Sequence, residues 1–227
     1  MSLPVRVATL FVAFAAVVAG AAFVVIHYML GNPPVQDFTS MAKGGQVSLT
    51  LQTTPETTVS SRPDWVSYFI KNPQTGKWEH STLLKLPANT QVNVTILAYD
   101  GCTPLRNPLW SKVTGTIGNV EYLNGKPVST LDSWAACNVQ HTFAIPGLGL
   151  SVPVASPTTL KENNNLCATA PCTSGPHAVV TFSFRTPAKG GTFIWQCRVP
   201  CGGGFIYGNG GPMSTYGYMT GQIEVVA

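Results

Sequence analysis

The sequence predicts an all-β fold, an antiparallel β-sandwich, behind one N-terminal transmembrane helix. Three observations predict it. Only 10% of the 227 residues are charged against 44% apolar, too little charge for a disordered chain or a coiled coil. The 22 glycines and 18 prolines are spread along the chain, the pattern of short strands joined by tight turns. Residues 7–36 carry no charge at all.

The uncharged front segment sets the first element. Residues 7–26 are apolar or small at every position except Thr9. About 20 such residues, at ~1.5 Å rise each, cross the hydrocarbon core of a bilayer. The rival reading is a cleaved signal peptide, with Arg6 as its basic region and Ala19, Gly20 and Ala21 as its cleavage site. The apolar run continues through Phe23, Val24, Val25 and Ile26, past the roughly 7–15 residues of a signal's apolar core. Residues 1–30 are therefore read as an uncleaved anchor. Arg6 precedes the span and Asp37 is the first charge after it, which places the short N-terminus in the cytoplasm and the rest of the chain outside the membrane. Ala16 and Gly20 form a small-xxx-small pair, and His27 and Tyr28 suit the interfacial belt.

Residues 31–45 contain Pro33 and Pro34 and little periodicity, and are read as a linker. Residues 46–227 form one extracytoplasmic domain. Alternating or β-branched runs predict strands at 46–52, 64–70, 91–99, 139–145, 178–184, 192–197 and 221–226. In the third of these, Val92, Val94, Ile96 and Ala98 share one face. Pro87, Pro104, Pro108, Pro146, Pro153, Pro157, Pro187 and Pro212 fall between the runs, where a missing N–H breaks no ladder. Two segments exceed a minimal sandwich. One is 102–137, with Trp110 and Trp134, and the other is 156–176, rich in Pro, Asn and Thr; both are read as surface insertions suited to partner contacts.

Several functions are excluded. The 13 Lys and Arg are scattered singly, so no phosphate-binding stripe for nucleic acid exists. The glycine-rich run 202–211 is not followed by Gly-Lys-Ser/Thr, no nucleophile elbow is present, and the cysteines lack zinc-finger spacing. No acid and base pair stands out, so the chain is not read as an enzyme on its own. His80, among polar residues, reads as a solvated side chain, and the acceptor pattern Asn93-Val94-Thr95 falls inside a predicted strand. What remains is the C-terminal segment, where Cys197 ends a strand, Cys201 follows, and Met219 precedes the final strand, with His141 upstream in its own strand. Thiolate, imidazole and thioether are the soft and borderline donors that suit copper.

These residues also carry a family resemblance. The order His141-Thr-Phe-Ala-Ile-Pro-Gly-Leu-Gly, then Val180-Thr-Phe-Ser-Phe, then Cys197-x-x-x-Cys201-Gly202, then Met219-x-Gly221-x-Ile223-x-Val225 resembles cytochrome c oxidase subunit II. That resemblance implies a cupredoxin-like Greek-key sandwich and a binuclear copper centre fed by a cytochrome. It also implies a place in a respiratory complex of the terminal oxidase type. The departures are specific. No histidine follows Cys201, Tyr216 stands where the family's second histidine would be, and Arg198, Val199 and Pro200 lie between the cysteines where the family has a glutamate. His141, Cys197, Cys201 and Met219 are left as ligands of a mononuclear copper site, with Met213 and His177 as further candidates. Trp195, Tyr207, Tyr216 and Tyr218 are read as an aromatic surface beside it. The alternative is a metal-free accessory subunit of a membrane complex, with Cys197 and Cys201 joined as a disulfide. The expected partners are the membrane and either other subunits of a respiratory complex or a redox protein such as a cytochrome.

Six cysteines allow 15 pairings. Proximity, together with the metal role of the last pair, favours Cys102 with Cys137 and Cys167 with Cys172, one bracket for each insertion, in an oxidising compartment.

Overall fold

The computed structural model describes residues 3–25, 34–55, 65–81, 83–102, 105, 107–131, 137–157, 166–167, 169–202 and 211–227. The expectations for His27, Tyr28, Pro33, Pro104, Trp134, Tyr207 and most of the 202–211 glycine run lie outside these residues. The chain forms two units, Met1–Pro33 and Pro34–Ala227.

The first unit holds α1, Leu3–Val24. Its stretch Pro4–Val24 has a mean hydropathy of 2.5 and buries nothing within the protein. At ~1.5 Å per residue the helix is about 33 Å long, the thickness of a hydrocarbon core. The Thr9 hydroxyl donates to the Val5 carbonyl at 2.9 Å, so this polar side chain is satisfied within the helix.

The second unit is a two-sheet sandwich. Its strands are β1 (Val35–Asp37), β2 (Gln46–Thr54), β3 (Ser67–Lys71), β4 (Trp78–His80), β5 (Leu83–Pro87), β6 (Gln91–Ala98) and β7 (Glu121–Leu123), followed by β8 (Lys126–Val128), β9 (Val139–Ile145), β10 (Leu150–Ala155), β11 (Ala178–Arg185), β12 (Gly191–Gln196) and β13 (Thr220–Val226). One sheet runs β1-β5-β13-β12-β9-β10 and the other β4-β3-β2-β6-β11-β7-β8.

The alternation read from the sequence sets the inward faces. Along β6, Val92, Val94, Ile96 and Ala98 are buried while the residues between them are half-buried. They meet Phe143, Val152 and Trp195 of the other sheet in one continuous core. Each such side chain contributes about 1.5–3 kcal/mol by leaving water. The sandwich is the class expected, but the pairings are mixed. β2 lies parallel to β6 from Gln46↔Gln91 to Thr53↔Ala98, and β5 lies parallel to both β1 and β13. Hydrophobic alternation dictates which face is buried and is silent on which strand lies alongside.

Three sequence readings change. Val35–Asp37, within the segment read as a linker, forms β1, and the adjoining Phe38 is 2% exposed in the core. An apolar anchor and a three-residue ladder tie that stretch to the domain. Pro153 lies inside β10 and Pro87 is the last residue of β5, rather than between strands; β10 is an edge strand, where a missing N–H costs no ladder bond. The 102–137 insertion is not wholly irregular, since it supplies β7 and β8 at the edge of the second sheet. Both insertions are stapled, by Cys102–Cys137 and Cys167–Cys172.

Candidate metal centre

Strand β9 is the scaffold of the site. Every residue from Val139 to Ile145 is buried, so the strand sits between neighbours with both faces covered. A β-bulge interrupts its pairing with β10, because Val154 faces His141 while Ala155 faces Val139, which leaves Gln140 as the extra residue. Bulges re-aim side chains, and this one sits one residue before His141.

Strand β12 delivers the cysteines. Gln196 pairs with both Ala144 of β9 and Thr220 of β13. Cys197 follows directly, and its N–H donates to the Met219 carbonyl at 2.9 Å. The next N–H, that of Arg198, donates to the Thr142 hydroxyl at 2.7 Å. The chain is thus held on both sides as it leaves the sheet. It then folds back through Val199 and Pro200 to Cys201. Gly202 follows with φ 66°, a left-handed turn that glycine adopts without a Cβ penalty.

This path brings three donors together. His141 Nδ1 lies 3.0 Å from Cys201 Sγ and 4.0 Å from Cys197 Sγ, and the two sulfurs are 3.3 Å apart. All three donor atoms lie within 4.8 Å of one another. Exposure is 2% at His141, 0% at Cys197 and 6% at Cys201. The Val199 carbonyl oxygen, midway in the loop, is 2.9 Å from Cys201 Sγ and 3.5 Å from Cys197 Sγ. Both thiols are free. A disulfide needs about 2.05 Å between sulfurs, so the expected Cys197–Cys201 bond of the metal-free alternative is not formed.

The electrostatics favour a thiolate beside a cation. Burial opposes the charge on Cys197, but the hydrogen bonds from Cys201 and His141, the imidazole charge and the Thr142 N–H, 3.4 Å from the sulfur, together hold it well below the usual thiol range. Burial and the adjacent Cys197 thiolate push the Cys201 thiol up, so it keeps its proton and donates. Burial also opposes the charge on His141, yet the Asp100 hydrogen bond and Cys197 outweigh it and raise its pKa to about 9. Asp100 was not expected from the sequence. Its Oδ2 lies 2.9 Å from His141 Nε2. Tyr68, also unforeseen, is fully buried with its ring 6.2 Å from that of His141, and its hydroxyl donates to the Thr142 carbonyl at 3.0 Å. Burial, with the two cysteines nearby, pushes its phenol well above the ordinary value, so it stays a neutral donor.

The remaining candidates divide. Met219 is fully buried, and its N–H and carbonyl are bonded to the Pro212 carbonyl and the Cys197 N–H, so its backbone abuts the site. Met213 is half-buried against the core, with its carbonyl taking Gln196 Nε2 at 3.5 Å. His177 lies outside the donor cluster. It is exposed, its ring lies tilted 4.7 Å from that of Tyr99, and Nδ1 bonds the Gly175 carbonyl at 3.0 Å. The aromatic surface is partly core: Trp195 is 0% exposed and packs on Tyr68 and Phe143, whereas Tyr216 is exposed and Tyr218 half-buried against Trp65. His80 is not simply solvated. It is half-buried between Phe69 and Tyr218, with Nδ1 2.6 Å from the Gly217 carbonyl.

The donor set fits copper. Two soft sulfurs, a borderline imidazole and a neutral backbone oxygen converge on one buried point, and no carboxylate belongs to the cluster among the described residues.

No protein-family model matches this chain, and no curated protein matches it. Among solved structures it is similar to rusticyanin, described as a copper protein, at 16% identity and a TM-score of 0.32, covering 81% of this chain and 80% of that one. Rusticyanin from Thiobacillus ferrooxidans gives 15% identity and 0.31 over 86% and 84%. A laccase from Pediococcus acidilactici gives 10% and 0.37 over 86% of this chain and 29% of the laccase.

Proposed function

We propose that this protein is a membrane-anchored, cupredoxin-like electron carrier that holds one copper ion at His141, Cys197 and Cys201. The observation that carries the reading is the convergence of one imidazole nitrogen and two free thiols within 4.8 Å in a buried pocket. Bound copper would supply a one-electron couple at that point. The protein's own groups do the rest. Cys197 and Cys201 offer the sulfurs, with the Thr142 N–H directed at Cys197. The Val199 carbonyl offers a neutral oxygen, and Met219, tied by its backbone to Cys197, is the thioether candidate. Burial of all three donors, none more than 6% exposed, limits the access of water to the site. The apolar α1 supports a membrane anchor, with the domain on the extracytoplasmic side. The electron partner is a redox protein such as a cytochrome or the other subunits of a terminal oxidase-type complex.

The test uses the full chain in detergent, reduced, loaded with copper and freed of excess metal. The expected result is one copper per chain and a visible thiolate-to-copper band, both lost in Cys197→Ser. A wild-type chain that retains no copper, with both thiols confirmed reduced, overturns the reading.

A further inference from the structure

The site has an outer layer that the ligand set alone does not require. His141 Nε2, the nitrogen turned away from the sulfurs, meets Asp100 Oδ2 at 2.9 Å. The other carboxylate oxygen, Oδ1, takes the Gly101 N–H at 2.7 Å. Both oxygens are therefore engaged, and the carboxylate cannot rotate without losing a bond.

The backbone of Asp100 is held as firmly as its side chain. Its N–H donates to Gln140 Oε1 at 3.2 Å, and its carbonyl takes the Ser156 hydroxyl at 3.3 Å. Gln140 is itself fixed, since Oε1 also takes the Thr53 hydroxyl at 2.6 Å and Nε2 donates to the Ala155 carbonyl at 2.8 Å. Gln140 is the extra residue of the bulge in β9. Without that bulge, strict alternation would send Gln140 and His141 to opposite faces, and one turn could not engage both. The Cys102–Cys137 disulfide completes the clamp, two residues after Asp100 and four before His141. The turn that carries the carboxylate is thereby joined covalently to the strand that carries the imidazole.

We propose that Asp100 is the positioning residue of the metal centre, accepting the Nε2–H of His141 and so leaving Nδ1, the nitrogen that faces the two sulfurs, with its lone pair free for a metal. A neutral imidazole has one N–H and one lone pair. A carboxylate at Nε2 fixes the proton there and leaves Nδ1 as the donor. The inference rests on the copper reading above and adds which nitrogen binds and what holds it.

The test compares wild type, Asp100→Ala and Asp100→Asn as full chains in detergent, loaded with cuprous ion against a competing chelator. Loss of such a carboxylate costs about 10–100-fold in metal affinity, and that is the fall expected for Asp100→Ala. Asp100→Asn can still turn a carbonyl oxygen to Nε2–H, and recovers most of the affinity. Nitrogen-15 spectra of the cuprous wild type should show Nδ1 of His141 bound to metal and a slowly exchanging Nε2–H. Thermal unfolding of the metal-free variants separates a folding defect from lost positioning, and the wild-type spectra decide the question even where Asp100→Ala fails to fold. Metal on Nε2, or unchanged affinity in Asp100→Ala beside a copper-binding wild type, overturns the positioning role alone. A wild type without copper overturns the metal reading and this inference together.

Discussion

Glu121 gives the sharpest prediction. It lies in β7 on the inner face of the sandwich, 0% exposed, and neither carboxylate oxygen has a hydrogen-bond partner among the described residues. Its neighbour across the ladder is Val128. Burial raises its pKa from 4.5 to about 8. The sign follows from linkage. Between those pH values the folded state keeps a proton that the unfolded state releases, so the contribution of this group is fully present below pH 4.5 and is lost as pH rises through 8. Each pH unit in that window costs about 1.4 kcal/mol, which sums to about 5 kcal/mol. Against a typical total of about 5–15 kcal/mol, that is a third or more of the stability of a domain. Chemical denaturation of the full chain in detergent, from pH 4 to 9, for wild type and Glu121→Gln, measures it. Gln has the same shape and no charge, so the variant should lack this slope, match wild type within about 1 kcal/mol in acid, and exceed it by several kcal/mol in alkali. Parallel curves for the two proteins across the whole range would refute the reasoning.

Replacing both Cys102 and Cys137 by Ser frees a 35-residue loop and should lower stability by about 2–4 kcal/mol, read by denaturation, while weakening copper retention because the Asp100 turn is loosened. Trp195→Ala should cost about 3–5 kcal/mol, whereas Trp195→Phe should cost less than half as much, because the buried indole N–H has no partner among the described residues to lose. Asp37 is held below its ordinary value by two hydrogen bonds from Thr39, so the stability it adds is present at neutral pH and fades as pH falls below 3.8. Asp37→Asn should flatten that acid limb of a denaturation profile.

The parts of this fold that were readable are those with enough residues to show a period. β6 and β11 alternate over eight residues each, and their inward faces followed directly. β1, β4, β7 and β8 have three residues apiece, too few for alternation to stand out from a loop, and β10 was masked by Pro153 at its centre. The site divides along similar lines. His141, Cys197 and Cys201 announced themselves by chemistry, because soft donors are rare in so apolar a chain. Asp100 lies 41 positions from its partner, and no spacing rule connects a carboxylate in a turn with an imidazole in a bulged strand. The one available hint was its place in an Asp-Gly turn directly before Cys102. Tyr68 and Glu121 depend wholly on which strands come to lie face to face, which alternation leaves open.

The position of β13 carries a consequence for biogenesis. It lies between β5 and β12 in its sheet although every other strand precedes it in the chain, and Met219, just before it, supplies the carbonyl that pins Cys197. That sheet therefore closes only when the last strand has been threaded into a gap between two earlier ones, a slow, non-local event. Until then the carbonyl that pins Cys197 is not in place, and the two free thiols stand open to the same oxidation that joins Cys102 to Cys137. Insertion of the last strand and the shielding of Cys197 and Cys201 are thus one event in folding.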